Sequence, residues 1–552
     1  MAAVSSGSPG FGRPLQLQDY LNAAQRALAA GDQMRALAIA GEAAEKGFEH
    51  PNLLTLAVYH HLNLGRFGDA LGLATRAREL APRNVDVLNA LGTVLVRQNR
   101  PRDALPVFDA ALRQAPGQFI THFNKANALE LASELRRARD QFLRALALQP
   151  GHAESMARIA HLASQRGDAA EAREYGGRAL RLDPNQFFAS FALAAVETAD
   201  KNYAAAEQFL LPVLHNPNAS SNVRAIAHSM MGDVLDGLQR PAEAFAAYTR
   251  AGDGFRTVYA PQFVRPDLET ALARAQRLTA FFRDADPAPW RAVSTGTYTA
   301  PVCAHVFLVG FPRSGTTLLE QVLAAHPDVV AMDERNCLVD AYEFVLEAGG
   351  LERLAALDGA ALDSWRARYW KRVAEAGFSP ARPVFIDKMP LNSVLLCLIA
   401  KLFPDAKVLF ALRDPRDVVF SCFRRRFGMT QQMFELLALE GTAAYYDAVM
   451  TLSDLYRGVL ALPVCDTRYE DLVGDFAGET ARLCAFLGLA PDPGMADFAP
   501  KARARNIDTP SAAQVAQGLF TQGAGQWRAY EAALKPVMAT LSPWLARYGY
   551  KD

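Results

Sequence analysis

The sequence predicts an α-solenoid of repeated helical hairpins followed by an α/β domain with a parallel sheet and a P-loop-like anion loop. Two observations carry this expectation. Alanines and prolines recur every 34 residues through the first half, and the second half contains a strand, a glycine-framed loop and a helix in direct succession. The chain has 552 residues, more than one hydrophobic core usually organises at ~150 residues per domain. We place the helical array at 15–285 and the α/β domain at 300–552.

The repeat is read from three registers that agree. Alanines stand at Ala36, Ala70, Ala104, Ala138, Ala172 and Ala206, and again at Ala43, Ala77, Ala111, Ala145 and Ala179. Prolines stand at Pro82, Pro116, Pro150 and Pro184. Small residues at Gly92, Ala126, Ala160 and Ala194 let two antiparallel helices approach, and each proline follows a second helix that it cannot prolong. Phe108 and Phe142 fall between matching alanines as packing residues.

This pattern resembles the tetratricopeptide repeat over about residues 15 to 280, with about six or seven repeats. The family's frequent tryptophan is missing, and spacing drifts from Pro217 onward. Stacked hairpins form a superhelix with a concave surface, so the resemblance implies that the array holds a polypeptide acceptor or partner protein. A packing or dimerisation scaffold is the alternative.

Composition narrows the function classes. Lysine plus arginine number 58 and aspartate plus glutamate 58, for a net charge of +0, so no global basic field exists to hold nucleic acid or an anionic membrane. The six cysteines (Cys303, Cys337, Cys397, Cys422, Cys465 and Cys484) show no metal-like spacing and read as reduced, mostly buried thiols. The N-terminus lacks an apolar signal core, and apolar runs such as Ser393 to Ala400 are too short to span a bilayer. A cytoplasmic protein without a membrane span is expected.

The helical pattern runs to Phe281-Phe282-Arg283 and breaks at Asp284 to Trp290. Val306 to Val309 then reads as a buried strand, Gly310-Phe311-Pro312-Arg313-Ser314-Gly315-Thr316-Thr317 as a loop, and Leu318 to Leu323 as a helix. Such a loop aims backbone N–H groups and a helix N-terminus at an anion. Thr316 stands where a nucleoside triphosphatase has lysine, which disfavours ordinary ATP chemistry. Arg313, Ser314, Thr316 and Thr317 offer a guanidinium fork and hydroxyls that suit phosphate or sulfate without an obligatory metal.

Pro312 to Thr317 is similar to the 5′-phosphosulfate loop of sulfotransferases, which use 3′-phosphoadenosine 5′-phosphosulfate. Pro312 to Arg335, with Ala325-His326-Pro327 and Asp333-Glu334, resembles protein-tyrosine sulfotransferases in particular. The whole resemblance spans about 303 to 530. It implies Glu334, Arg313 and Lys388 as catalytic residues, and Arg313, Ser314, Gly315, Thr316, Thr317, Arg413, Ser421, Arg425, Tyr469 and Ser511 as donor-binding residues. No metal is implied.

Strand ends give an independent reason for this grouping. In a parallel sheet successive strands end on one edge, where open α/β folds bind ligands. Strands over 328–332, 384–386, 407–412 and 463–467 would deliver Glu334, Asp387 with Lys388, Arg413, and Arg468 with Tyr469. His326 sits at the far end of the intervening helix and is not assigned to catalysis. Within Phe423 to Phe427, Arg424 and Arg426 read as a solvated helix face. Ser511 to Val515 and Gln526-Trp527 resemble a segment that closes over the nucleotide, but Gln526 stands at a usually basic position, so one charge contact is either absent or replaced by the neighbouring Arg528.

The implied reaction is in-line sulfuryl transfer, with Arg313 and Lys388 stabilising developing charge and Glu334 as general base. A glutamate near pKa ~4.3 and a phenol near ~10 differ by roughly six units, about 8 kcal/mol, so proton removal must accompany transfer, and burial of the carboxylate would lessen the gap. Tyrosine is the favoured acceptor on acidity. A glycan or small-molecule sulfotransferase, a non-catalytic adaptor with a nucleotide-sensing domain, and a nucleotide kinase stay open as other readings.

Overall fold

A computed structural model describes residues 15–291, 300–380, 382–504, 518–519 and 523–551. The chain divides into two compact units, 1–213 and 214–552.

Six helical hairpins fill the described part of the first unit, from Leu17–Ala29 with Gln33–Glu45 to Phe187–Ala199 with Tyr203–His215. The recurrent alanines are the reason the helices pack closely: Ala36, Ala70, Ala104, Ala138, Ala172 and Ala206 are all fully buried. A Cβ on Gly92 would lie 2.5 Å from the Phe108 ring, so the second helix of that hairpin fits only against a glycine. Pro82, Pro116, Pro150 and Pro184 each lie two positions past a helix end, where a missing N–H costs nothing.

The helices Ser221–Gly237, Pro241–Phe263 and Ala271–Asp284 belong to the second unit. They are helical, as the sequence reading of 15–285 expects, yet their partners are residues of the α/β part. A Cβ on Gly252 would strike the Leu437 carbonyl at 2.0 Å. Leu272 N–H donates to Glu435 Oε1 at 3.1 Å, and Arg277 donates to the Val345 carbonyl at 2.7 Å. Phe282 packs edge-on against Tyr456 with ring centres 5.0 Å apart.

The sheet has five strands: β1 (Ala304–Gly310), β2 (Val329–Met332), β3 (Val384–Lys388), β4 (Lys407–Leu412) and β5 (Val464–Arg468). Their order is β2-β3-β1-β4-β5, and every pairing is parallel. Strand alternation sends Val306, Leu308, Ile386 and Leu409 into one apolar layer with the helix Thr316–Ala324. His305, Phe307 and Phe385 enter an aromatic layer with Tyr369 and Phe403 on the other face. Register sets Leu308 of β1 opposite Lys388 of β3, so that lysine lies inside its strand rather than after it.

Candidate active site

The loop after β1 is shaped by backbone constraints. Gly310 has φ +152, and a Cβ there would come within 2.6 Å of the Ala411 carbonyl on β4. Gly315 has φ +94 and faces the Tyr469 ring, where a Cβ would meet Cδ2 at 2.9 Å. Arg313 holds φ 70, a left-handed conformation that is costly for a side-chain-bearing residue. Arg413 Nη1 donates to the Arg313 carbonyl at 3.0 Å and helps fix that turn.

Arg313 Nε in turn donates to Ser421 Oγ at 3.0 Å. Burial, together with the nearby positive charge of Arg425, lowers the Arg313 guanidinium to about 10, so it stays cationic at neutral pH. Beneath the loop, Cys422 Sγ donates to the Pro312 carbonyl at 3.2 Å, and burial pushes that thiol up to about 12.

One cavity gathers Arg313, Gly315, Thr316, Thr317, Glu334, Arg413, Ser421 and Tyr469. Lys388 is fully buried and is not among the residues lining it, with Nζ 2.8 Å from Glu334 Oε1 and 3.3 Å from Glu320 Oε2. Among the described residues its ion-pair partners are these two carboxylates. Glu334 is not deeply buried: its side chain is 40% exposed, and what it meets is the Lys388 ammonium. Arg413 lies over the Tyr469 ring at 5.2 Å.

Other expected residues are placed differently. Ser314 is buried but does not line this cavity. Arg425 also lies off the lining, with Nη1 3.9 Å from Asp233. Ser511, and the segment Ser511 to Val515, lie outside the described residues. His326 bonds the Ala490 carbonyl at 3.0 Å and accepts from Asp328 N–H at 3.0 Å, a structural role.

The expectation for Arg424 is corrected. Its side chain is only 9% exposed and lines the cavity, because Asp236 from the helix Ser221–Gly237 covers it. Arg528 does not replace a charge at 526: it is exposed and lies over the Trp527 ring at 5.3 Å. Asp417, which sequence reading passed over, accepts from Gly525 N–H at 2.6 Å and Trp527 N–H at 2.9 Å. Those bonds dock the C-terminal segment on the helix Pro415–Arg424, and Arg416 stacks on Trp527 at 3.7 Å. Glu320 was missed as well; its signal is a carboxylate within the apolar run that follows an anion loop.

A second chamber of about 630 Å³ shares Glu334, Met389, Leu391, Phe427 and Met433 with the first. Its walls are mostly apolar, with Tyr342, Leu346 and Tyr445, and include Ala271 and Arg274 from the preceding helix. The two spaces meet along the five residues they share.

A P-loop-like cradle on a five-stranded parallel sheet, ringed by cations, is the setting of a sulfotransferase domain. Residues 305–493 match the sequence model of the sulfotransferase family, and 55–117, 89–153 and 153–186 match tetratricopeptide-repeat models. The chain thus carries a sulfotransferase domain behind tetratricopeptide repeats.

Among curated proteins, it is similar to an "Uncharacterized protein" of Aquifex aeolicus (strain VF5), 24% identical over 426 residues, covering 75% of this chain and 52% of the relative. Protein-tyrosine sulfotransferase 1 of Mus musculus is 32% identical over 127 residues, covering 22% of this chain and 34% of the relative. Omega-hydroxy-beta-dihydromenaquinone-9 sulfotransferase Stf3 of Mycobacterium bovis (strain ATCC BAA-935 / AF2122/97) is 29% identical over 134 residues, 23% of this chain and 34% of the relative. The chain therefore spans about half of the first relative's length and about a third of the other two. Among the described residues no helix is long and apolar enough to cross a membrane.

Proposed function

We propose that the chain transfers the sulfuryl group of 3′-phosphoadenosine 5′-phosphosulfate to an acceptor hydroxyl, with a tyrosine of a polypeptide held by the repeats as acceptor. The observation that supports this most is the junction itself. Arg313, Arg413 and Glu334 line one cavity, with Lys388 Nζ 2.8 Å from the Glu334 carboxylate.

In this reading Glu334 takes the acceptor proton as the acceptor oxygen bonds to sulfur and the sulfur–oxygen bond to the 5′-phosphate breaks. The electron pair of that bond leaves with adenosine 3′,5′-bisphosphate. Arg313 and Lys388 stabilise the charge that builds on the bridging oxygen, and the N-terminus of the helix Thr316–Ala324 adds its N–H groups. Arg413 and Ser421 hold the 3′-phosphate end, with Tyr469 against the nucleotide. The free state of all six cysteines supports a cytoplasmic setting.

The test is nucleotide binding without magnesium, followed by transfer to peptides. Adenosine 3′,5′-bisphosphate should bind more tightly than ATP, and sulfate should pass to a tyrosine peptide but not to its phenylalanine counterpart. The reverse nucleotide order would remove the donor assignment. One observation favours a second acceptor, a small apolar alcohol or phenol: the chamber beside Glu334 is lined mostly by apolar groups. Transfer to such a compound with none to peptides would select that reading.

A further inference from the structure

We propose that Arg424 is an additional donor-binding residue that grips the 3′-phosphate side of the nucleotide; this rests on the sulfotransfer reading above. Arg424 closes the helix Pro415–Arg424, three residues beyond Ser421, so the two side chains share a helix face. It lines the same cavity as Arg313, Arg413 and Gln526.

Its present partners hold it in place without exhausting it. Nη1 donates to Asp236 Oδ2 at 3.2 Å, and Nη2 donates to Gln526 Oε1. Nε is buried with no hydrogen-bond partner among the described residues. The guanidinium lies over the Phe420 ring at 5.1 Å, a stacked, desolvated placement that suits arginine better than lysine. Asp236 cannot serve Arg424 alone, because the Tyr530 hydroxyl also donates to it and its side chain is 39% exposed. Gln526, the neutral neighbour, aims the fork but brings no charge.

The surrounding charges point the same way. Arg313, Arg413 and Arg424 meet at this cavity; the carboxylates near them are Asp233 and Asp236, which act on Arg424, Asp417, already accepting two backbone N–H groups, and Glu334, already paired with Lys388. A dianion completes such a cluster by charge-assisted hydrogen bonds. Arg424 therefore adds a third guanidinium to the donor site, set by a carboxylate that lies ahead of the sulfotransferase match, in the helix Ser221–Gly237.

The experiment is calorimetric titration of the full-length chain with adenosine 3′,5′-bisphosphate and, in parallel, adenosine 5′-monophosphate. Arg424→Gln should weaken the bisphosphate about 10-fold or more while changing the monophosphate less than about threefold. Adding Gln526→Lys to Arg424→Gln should recover part of the loss by restoring a cation at the same wall. Arg424→Lys, which keeps the charge and loses the fork, gives a milder variant and should fall between. Unchanged bisphosphate affinity in these variants, or equal losses for both nucleotides, would overturn the assignment. A parent protein that binds neither nucleotide would instead overturn the sulfotransfer reading on which it stands.

Discussion

Lys388 Nζ stands 2.8 Å from Glu334 Oε1, although 54 positions separate the two residues in the chain. The pair exists because β2 and β3 are adjacent parallel strands that end on one edge. If Glu334 is the base, Glu334→Gln keeps the shape and loses the proton acceptor. Turnover should fall by about 10²- to 10⁴-fold, with affinity for adenosine 3′,5′-bisphosphate undiminished. Single-turnover transfer and titration on the same preparation check both halves.

Glu320 is the buried counter-charge of Lys388, 3.3 Å away and 3% exposed. Glu320→Gln leaves the ammonium with only the half-exposed Glu334. We expect a loss of about 1–3 kcal/mol in stability, below the full cost of stranding a buried charge because one carboxylate remains. Urea unfolding monitored in the second unit measures it.

Gly310 cannot carry a side chain without moving β4, since its Cβ would meet the Ala411 carbonyl at 2.6 Å. Gly310→Ala should cost about 2 kcal/mol or more and weaken nucleotide binding through the displaced loop. Gly458→Ala, where a Cβ meets nothing within 4 Å near the end of a helix, is the control and should hold or gain up to about 1 kcal/mol.

A buried chain of bonds links His305 Nε2 with the Tyr369 hydroxyl at 3.0 Å, and that hydroxyl donates to Asp387 Oδ2 at 2.8 Å. Burial raises Asp387 from 3.8 to about 7 and lowers His305 from 6.5 to about 3. The raised carboxyl stabilises the fold most at low pH, and that contribution is lost as pH climbs from about 4 to 7. The lowered imidazole acts oppositely, contributing above 6.5 and fading as pH falls toward 3. Their slopes oppose each other between about pH 4 and 6.5. Asp387→Asn should expose the histidine slope alone, so its unfolding midpoint should rise from pH 4.5 to 6.5 more steeply than that of the parent.

Much of this architecture was legible because it rests on steric rules. A 34-residue ladder of alanines has few explanations besides helices in close contact, and those alanines are buried. The convergence of Glu334 and Arg413 followed from where parallel strands end, whereas Lys388 reaches Glu334 from inside β3. The neighbours of the helices at 221–284 were not legible. Amphipathicity says that a helix buries one face, not that Asp236 will meet Arg424 across 188 positions. Arg424 was misread for the same reason: a run of three arginines looks solvated until another element covers one of them.

Cys303 sits one residue ahead of β1 and is exposed, whereas the other five thiols are buried. Burial also pushes Cys337 and Cys422 to about 12 and Cys397 to about 11, which leaves them poor nucleophiles at neutral pH. The unaltered chain thereby offers a single address for maleimide chemistry. A fluorophore attached there labels the protein at the start of the strand that feeds the anion loop, without any cysteine being engineered in or out.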